Sequence, residues 1–328
     1  MNATVFVSES LRITNIISKC ILTSLILIIS VGNVVVLLSL CLSQSRSSRI
    51  KMFIINLAAA DLLVAWTTIL PQLIWSFTVY FLAPDFMCKL IKYIQSAVNH
   101  ASAYALVAMS IDRMDAIVRP FTVAHLTYRS FGLIIAGWSV SLLCGIPTPL
   151  IARVQHMKQA GRQCNIMFKN MSPKVYMSYV ASSAFFLPAL IIAVTHVVIC
   201  AKVMKASRFQ RGQTTANRII FRAKLKSIKM TVIIVTAFVL LWSPYMLWNL
   251  MSVFHVIERS PKMTKITIVI QNLAPLNSAV NPIIYFIFNS VKRQREVNNY
   301  QVMRSGASTS HQKACYKSVN IERITTQI

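Results

Sequence analysis

Acid is what this chain has least of. Eight Asp and Glu stand against 34 Lys and Arg in 328 residues, a formal net charge of +26. Charge of either sign is thin, at 13% of residues, where an ordinary soluble domain carries about 25%. The stretches 20–45, 93–111, 130–152, 175–201, 230–257 and 266–291 contain no Asp, Glu, Lys or Arg at all. A further stretch, 52–84, is interrupted only by Asp61. About 20 apolar residues carry a helix across the hydrocarbon of a bilayer, so these absences exclude a soluble globular fold and predict seven membrane-spanning helices. Glycine is scarce, with seven residues, while prolines fall inside several runs. Packed membrane helices tolerate such prolines because neighbours satisfy the freed carbonyls. There is no HExxH, GxSxG or GxGxxG and no pair of catalytic acids, which argues against an enzyme. There is no internal repeat, which argues against a transporter built from inverted halves. No basic region precedes a short apolar core at the N-terminus, so no cleavable signal peptide is expected.

The charge that is present is unevenly placed. With the N-terminus outside, the inward connections 43–51, 112–129, 202–229 and the tail from 291 carry 22 Lys and Arg, and the outward parts 1–15, 80–88, 153–174 and 256–265 carry nine. The positive-inside rule therefore puts the N-terminus outside and the tail in the cytoplasm. Basic charge sorted in this way fits contact with anionic lipid better than with nucleic acid. The expected organisation is an extracellular N-terminus (1–15), a seven-helix domain (16–290) and a cytoplasmic tail (291–328) with room for a short membrane-surface helix. Asn2-Ala3-Thr4 is a glycosylation sequon on the outer side, and Asn170-Met171-Ser172 is a second, disfavoured by Pro173. Of seven cysteines, Cys20, Cys41, Cys144 and Cys200 fall in or beside membrane segments and Cys315 in the tail. Only Cys88 and Cys164 lie on the oxidising side, which predicts a disulfide between them.

Asp61 sits in NLAAADLLVAW, residues 56–66. An ionisable group there costs roughly 2.5–3.5 kcal/mol on insertion scales, so it needs a reason. Polar residues on other runs, Asn33, Ser102, Asn277, Ser278 and Asn281, are candidate partners. Two readings stand: a structural hydrogen-bond hub, or a site for a small hard cation that prefers oxygen ligands. A second polar set lies toward the outer halves of the helices. Lys92, Gln95 and Asn99 share one helix face at i, i+3, i+7, and Gln72, Tyr245, Asn249 and Gln271 sit at similar depth. Amide-rich walls suit a ligand with many backbone carbonyls and N–H groups, hence a peptide; alternatively these residues bridge helices.

One marker falls on each run, in order: Asn33 in VGNVVV, Asp61 in NLAAADLL, DRM at 112–114, Trp138, Pro188, WSPY at 242–245 and NPIIY at 281–285. The series resembles the signature positions of the rhodopsin-like G-protein-coupled receptors and covers nearly the whole chain. The resemblance implies an all-α seven-helix bundle in the plasma membrane that signals through heterotrimeric G proteins, with no catalytic activity and no resident cofactor. It implies a sodium pocket of Asp61, Ser102, Asn277, Ser278 and Asn281 beneath Trp242, with sodium favouring the inactive state. It implies that Asp112 holds Arg113 at rest and that Arg113 meets the G protein when active. It implies a switch of Pro188, Phe238 and Trp242, hinges at Pro244 and Pro282, and Tyr285 as the tyrosine of the seventh-helix motif. Ser305, Ser308, Thr309 and Ser310 in the tail would then serve arrestin if phosphorylated.

Several positions depart from the family pattern. Met114 follows Arg113 in place of tyrosine, His196 stands for a fifth-helix tyrosine, Ala103 is small, and Val291 and Lys292 replace an anchoring phenylalanine. Lys224 and Lys226 at the sixth-helix base offer Arg113 no acidic partner. Ligand-free signalling is accordingly expected to exceed that of a Lys224→Glu variant, and equal second-messenger output at matched expression would contradict this.

Gln95 stands where amine receptors carry Asp, and Pro275 where opsins carry the retinal lysine, so neither ligand class is expected. LPQLIW with CKLIKYIQ resembles the vasopressin and oxytocin receptors, whose pocket uses glutamines and a lysine at the positions of Gln72, Gln95 and Lys92. RAKLKSIKMTV and FVLLWSPYMLW are similar also to the gonadotropin-releasing hormone, crustacean cardioactive peptide and neuropeptide S receptors. Thr148 and Asn249 stand where vasopressin-type receptors usually have glutamine. The implied partner is a small extracellular neuropeptide. The alternatives are a receptor of the same fold for a non-peptide ligand and, further off, a membrane transporter.

Overall fold

A computed structural model of the chain describes residues 3–42, 49–78, 80–119, 126–157, 161–169, 171–208, 215–257 and 260–288. Asn2, Asn170 and the tail serines and threonine lie outside the described residues, as do the side chains of Lys224 and Lys226. The described chain forms seven membrane-crossing helical units. These are α1 (Ala3–Cys41), α2 (Arg49–Val64) continuing into α3 (Leu70–Thr78), α4 (Asp85–Val118), α5 (Leu126–Gly145) with the short α6 (Pro147–Ile151), α7 (Pro173–Ala181) continuing into α8 (Leu187–Arg208), α9 (Thr215–Val253), and α10 (Pro261–Gln271) followed by α11 (273–288). The helix of α1 begins at Ala3, within the segment expected as the N-terminal extension, and its apolar span runs Asn15–Cys41.

Proline shapes three of these units. Pro71 and Pro188 cannot donate to the carbonyls of Thr67 and Ala184. Each lies two residues beyond a π-helical segment, Ala65–Ile69 and Ser182–Phe186. The wider turn absorbs the missing bond, and the extra residue rotates everything beyond it. In α11 the carbonyl that Pro282 leaves without its usual donor is that of Ser278. Asn33 Nδ2 of α1 donates to that oxygen at 3.2 Å. Gly32 makes the approach possible, since a Cβ there would lie 3.0 Å from the Pro282 ring. The VGN motif is thus a docking point for a kinked helix.

Five of the units are long and apolar enough to span a membrane on composition alone. The unit α4 is not among them, for a physical reason. It runs through the middle of the bundle, where Ala97, Ala101, Ser102, Ala103, Ala105 and Ala108 are all buried, and a helix packed against protein need not be apolar all round. The core around it contains Phe53, Leu106, Met109, Ile192, Phe238 and Met246. Leu27, Ile135, Leu190, Leu240 and Ile287 face outward instead, as lipid solvent requires.

Between α6 and α7 an antiparallel hairpin, β1 (Ala152–Met157) and β2 (Gly161–Ile166), pairs Val154 with Cys164. Cys164 is bonded to Cys88 in the first turn of α4. The Phe81 amide donates to the Arg162 carbonyl at 2.8 Å, and the Val154 amide donates to Asp85 Oδ1 at 2.8 Å. That amide bond and Lys89 hold the Asp85 carboxyl below its usual range. The hairpin is therefore fixed across the mouth of the bundle.

Candidate functional site

Asp61 projects from α2 into the bundle and is fully buried. Ser102 of α4 donates to Oδ1 at 3.0 Å, Ser278 of α11 to Oδ1 at 2.7 Å, and Asn281 to Oδ2 at 2.8 Å. Three sequence candidates from two helices therefore converge on one carboxylate. A hydrogen bond to a charged group contributes about 1.5–3 kcal/mol, so the three bonds offset part of the cost of burial. Two further oxygens beside the cluster, Asn277 Oδ1 and Asn281 Oδ1, are buried with no hydrogen-bond partner. An anionic carboxylate with unpartnered amide oxygens is the donor set of a hard cation. The donors here are all oxygens, a set that suits a hard cation better than a soft transition metal. Asn33 joins this region through α11 and not through Asp61.

Above the cluster lies a cavity of about 640 Å³. Gln72, Lys92, Gln95, Asn99, Tyr245 and Gln271 all line it. Asn249 does not; its amide donates to the Tyr245 carbonyl one turn back at 2.8 Å. Ser102, Trp242, Asn277 and Ser278 also line the cavity. Its floor is therefore built by the same serines that hold Asp61. The disulfide hairpin forms the other wall through Gln163, Cys164, Asn165 and Ile166.

Sequence reading missed several residues of this cavity. Thr68, one turn before Gln72, lines it with an unpartnered Oγ1. His100 of α4 is buried and bridges to Ser183 Oγ at 3.0 Å, tying α4 to the π segment before α8. Tyr176 also lines the cavity and shares a hydrogen bond of 3.1 Å with Thr148, a position the sequence marks only as a departure from the vasopressin-type pattern. A hydroxyl in an apolar run reads as bonded to its own helix, so the residue's reach across helices leaves no mark in the sequence.

Trp242 sits between the cavity and the core. Its ring lies 6.0 Å from Phe238 and 6.2 Å from Tyr245, and Phe238 lies 5.9 Å from Phe185. Phe185 belongs to the π segment that precedes Pro188, so the stack couples α9 to the kinked α7–α8 unit. Trp242 is two residues before Pro244, the proline inside α9. Its Nε1 is buried without a partner.

At the opposite end Arg113 pairs with Asp112. Asp112 also accepts from Ser130 of α5 at 2.8 Å and from Arg49 of α2 at 3.4 Å. Asp115 pairs with Arg129 of α5 at 2.7 Å. The Arg49 and Arg129 contacts went unforeseen because both arginines read as loop charge. Tyr285 lies 3.4 Å from Ser39 Oγ. His196 Nδ1–H donates to the Ile192 carbonyl at 2.8 Å and so does not reach Arg113 through that nitrogen. Trp138 donates to Asn56 at 2.9 Å, joining α5 to α2.

Comparison with known proteins matches this geometry. Residues 32–285 fit the family described as 7 transmembrane receptor (rhodopsin family). The chain is 36% identical over 272 residues to a neuropeptide S receptor of Mus musculus, covering 79% of this chain and 73% of that one. It is 31% identical over 274 residues to a mesotocin receptor of Rhinella marina (78% and 70% covered) and 31% over 292 residues to an oxytocin receptor of Ovis aries (81% and 74%). With the motifs in place on seven helices and the match spanning most of its length, the chain belongs to the rhodopsin family of seven-transmembrane receptors, a family of multi-pass membrane receptors and not of enzymes.

Proposed function

We propose that the chain is a plasma-membrane receptor for a small neuropeptide, with the disulfide end outside the cell and the Arg113 end meeting a heterotrimeric G protein. The observation that carries this reading is the cavity, walled by amide side chains and floored by the serines that bind Asp61. A peptide offers the carbonyl and N–H groups that Gln72, Gln95, Asn99 and Gln271 can pair. The relatives named for neuropeptide S, mesotocin and oxytocin support the same class.

Signalling follows by population shift. A ligand seated on Trp242 favours the arrangement in which the Trp242–Phe238–Phe185 stack repacks and α9 swings about Pro244. The Asp112–Arg113 pair then opens toward the G protein. Sodium, when bound at Asp61, supplies a positive charge that favours the resting arrangement. The basic inner loops lie on anionic lipid, and the tail from 291 is a site for phosphorylation and arrestin.

The test is expression with a promiscuous G protein and calcium readout against a neuropeptide panel. A response to a vasopressin-like, cardioactive, gonadotropin-releasing or neuropeptide S-type peptide is expected. Gln95→Ala should lower the potency of the active peptide at least about tenfold at unchanged surface expression, the equivalent of about 1.4 kcal/mol. Unchanged potency would remove Gln95 from the pocket.

A further inference from the structure

A second space opens on the lipid side of the bundle, between the outer end of α9 and the α7–α8 unit. It is a groove of about 440 Å³, lined by Ser178, Ser182 and Phe186 on one side and Met251, Phe254 and Val256 on the other. Phe186, Met251, Phe254 and Val256 are exposed, so the groove faces the bilayer. Tyr176, Val180 and Ala184 of the same helical unit line the cavity instead. The groove residues are offset from them by two positions, about 200° around a helix. One helical unit therefore separates the two spaces. The lip of the groove is fixed by the end of α9. His255 takes a left-handed backbone with φ of 60°, and the Val256 amide turns back to donate to the Met251 carbonyl at 2.9 Å.

The polar groups of this groove are out of place in hydrocarbon. Thr23, Thr67 and Thr236, also in membrane-spanning helices, donate to carbonyls of their own helix at 2.8, 2.7 and 2.8 Å. Among the described contacts the hydroxyls of Ser178 and Ser182 make no such bond. Lys174, Ser178 and Ser182 stand at i, i+4 and i+8, a row of about 12 Å running from the outer end of α7 into the membrane. At the head of the row Lys174 Nζ lies 5.5 Å from the centre of the Phe254 ring. The ion pairs among the described residues do not include it. A cation, two hydroxyls and then an apolar slot match a molecule with an anionic head, an ester and a hydrocarbon chain in that order. A methylene group displaces roughly the volume of a water molecule, about 30 Å³. The groove of about 440 Å³ then takes one chain of about 15 carbons, not two.

The groove also touches the switch. Phe186 lies 5.2 Å from Phe185, which leads through Phe238 to Trp242. The groove is open while the Asp112–Arg113 pair is closed. We propose that it binds a single-chain acyl glycerophosphate, with the phosphate on Lys174, the glycerol and ester oxygens at Ser178 and Ser182, and the chain between Phe186 and Met251. A molecule that binds the groove as it stands binds the resting arrangement, so it opposes signalling. This site is separate from the peptide cavity and does not depend on what fills it.

The experiment uses the full chain, purified into phosphatidylcholine nanodiscs, with a promiscuous G protein and no peptide. The probes are palmitoyl lysophosphatidate, monopalmitoylglycerol (the same chain and ester without phosphate) and palmitate (the chain with a carboxylate and no glycerol ester). Lysophosphatidate should slow ligand-free nucleotide exchange at least about fivefold, the lower end of ordinary coupling between sites. The other two should need concentrations at least about tenfold higher. Lys174→Gln should remove the margin over monopalmitoylglycerol, and Lys174→Arg should keep it. Ser178→Ala combined with Ser182→Ala should remove the margin over palmitate. Ser182→Phe, which fills the groove, should abolish the response. Gel filtration checks that each variant stays monodisperse, and Lys174→Arg retains the charge should Lys174→Gln misfold. A lysophosphatidate with a diazirine on its chain should label 182–186 and 250–256. Labelling confined to other segments, equal effects of the three probes, or margins that survive in the variants would overturn the inference, since the amphiphile then acts through the bilayer. A chain that drives no nucleotide exchange under any condition would count against the G-protein reading instead, and the labelling pattern would still decide the site.

Discussion

Asp61→Asn should abolish the effect of sodium on agonist affinity and lower agonist-driven signalling by more than tenfold. Asp61 accepts hydrogen bonds from Ser102, Ser278 and Asn281. An ionised carboxylate is acceptor-only, and all three partners approach it as donors. The amide of Asn turns one of those acceptor positions into an N–H₂ aimed at a donor. The loss is therefore double: the charge that would attract a cation, and a satisfied buried bond whose removal costs about 1–3 kcal/mol. The measurement is agonist competition binding with sodium and with a large organic cation at equal ionic strength. The unsubstituted receptor should bind agonist more weakly in sodium, and Asp61→Asn should bind equally in both. Sodium sensitivity that survives the substitution would return Asp61 to the role of a structural hub. An Asn281→Ala control separates the readings, because it removes a hydrogen bond to Asp61 while keeping the charge.

The second large effect concerns the mouth of the cavity. Cys88→Ser, Cys164→Ser and the double variant should each lower peptide potency by at least about 100-fold and reduce surface delivery. The three should be equivalent, since one bond is lost in each case and a pair acting as a unit is non-additive. The bond closes 76 residues of chain. In the chain-entropy account such a closure stabilises by about 4 kcal/mol. The local consequence is more direct. Cys164 sits between Gln163 and Asn165, which line the cavity, and other described contacts holding the hairpin are hydrogen bonds, Val154 to Asp85, Phe81 to Arg162 and Arg162 to Ala83. Without the disulfide that wall is tied to α4 by the Val154–Asp85 hydrogen bond, a far weaker constraint on its distance from Lys92 and Gln95. Radioligand binding and surface labelling of the three variants test this. A double variant markedly worse than either single would mean that the cysteines act separately.

The seven-helix plan was legible because the absence of charge over a membrane's thickness is hard to mistake. Even so, the middle helix shows how composition and position differ. Residues 93–111 lack charge, yet α4 falls short on apolarity because its neighbours are protein. Asp61 and its partners were legible as polar intruders in apolar runs, and their convergence then emerged from the packing of α2 against α4 and α11. Asn249 marks the limit of polarity as a signal. It has the residue type and depth of its neighbours, but its own helix satisfies it. Thr68, His100 and Ser183 mark the opposite error, small polar groups that look self-contained and instead face a cavity or another helix. Arg49 and Arg129 were counted as cytoplasmic charge, and only geometry reveals them as partners of Asp112 and Asp115.

The two π segments carry a consequence for aligning this chain with its relatives. One lies between Asp61 and Gln72, the other between Tyr176 and Pro188. Each inserts one residue into the helical count, and one residue is worth about 100° of rotation and 1.5 Å of rise. Counting outward from Asp61 or Pro188 as if the helix were regular therefore assigns the wrong residue to each cavity-facing position beyond the bulge. Deleting a single residue from 182–186 would turn Tyr176 and Val180 away from the cavity they line, though only one residue of the chain is lost. Gaps in an alignment of these helices belong at the bulges, and a homologue lacking one presents a different pocket from a nearly identical sequence.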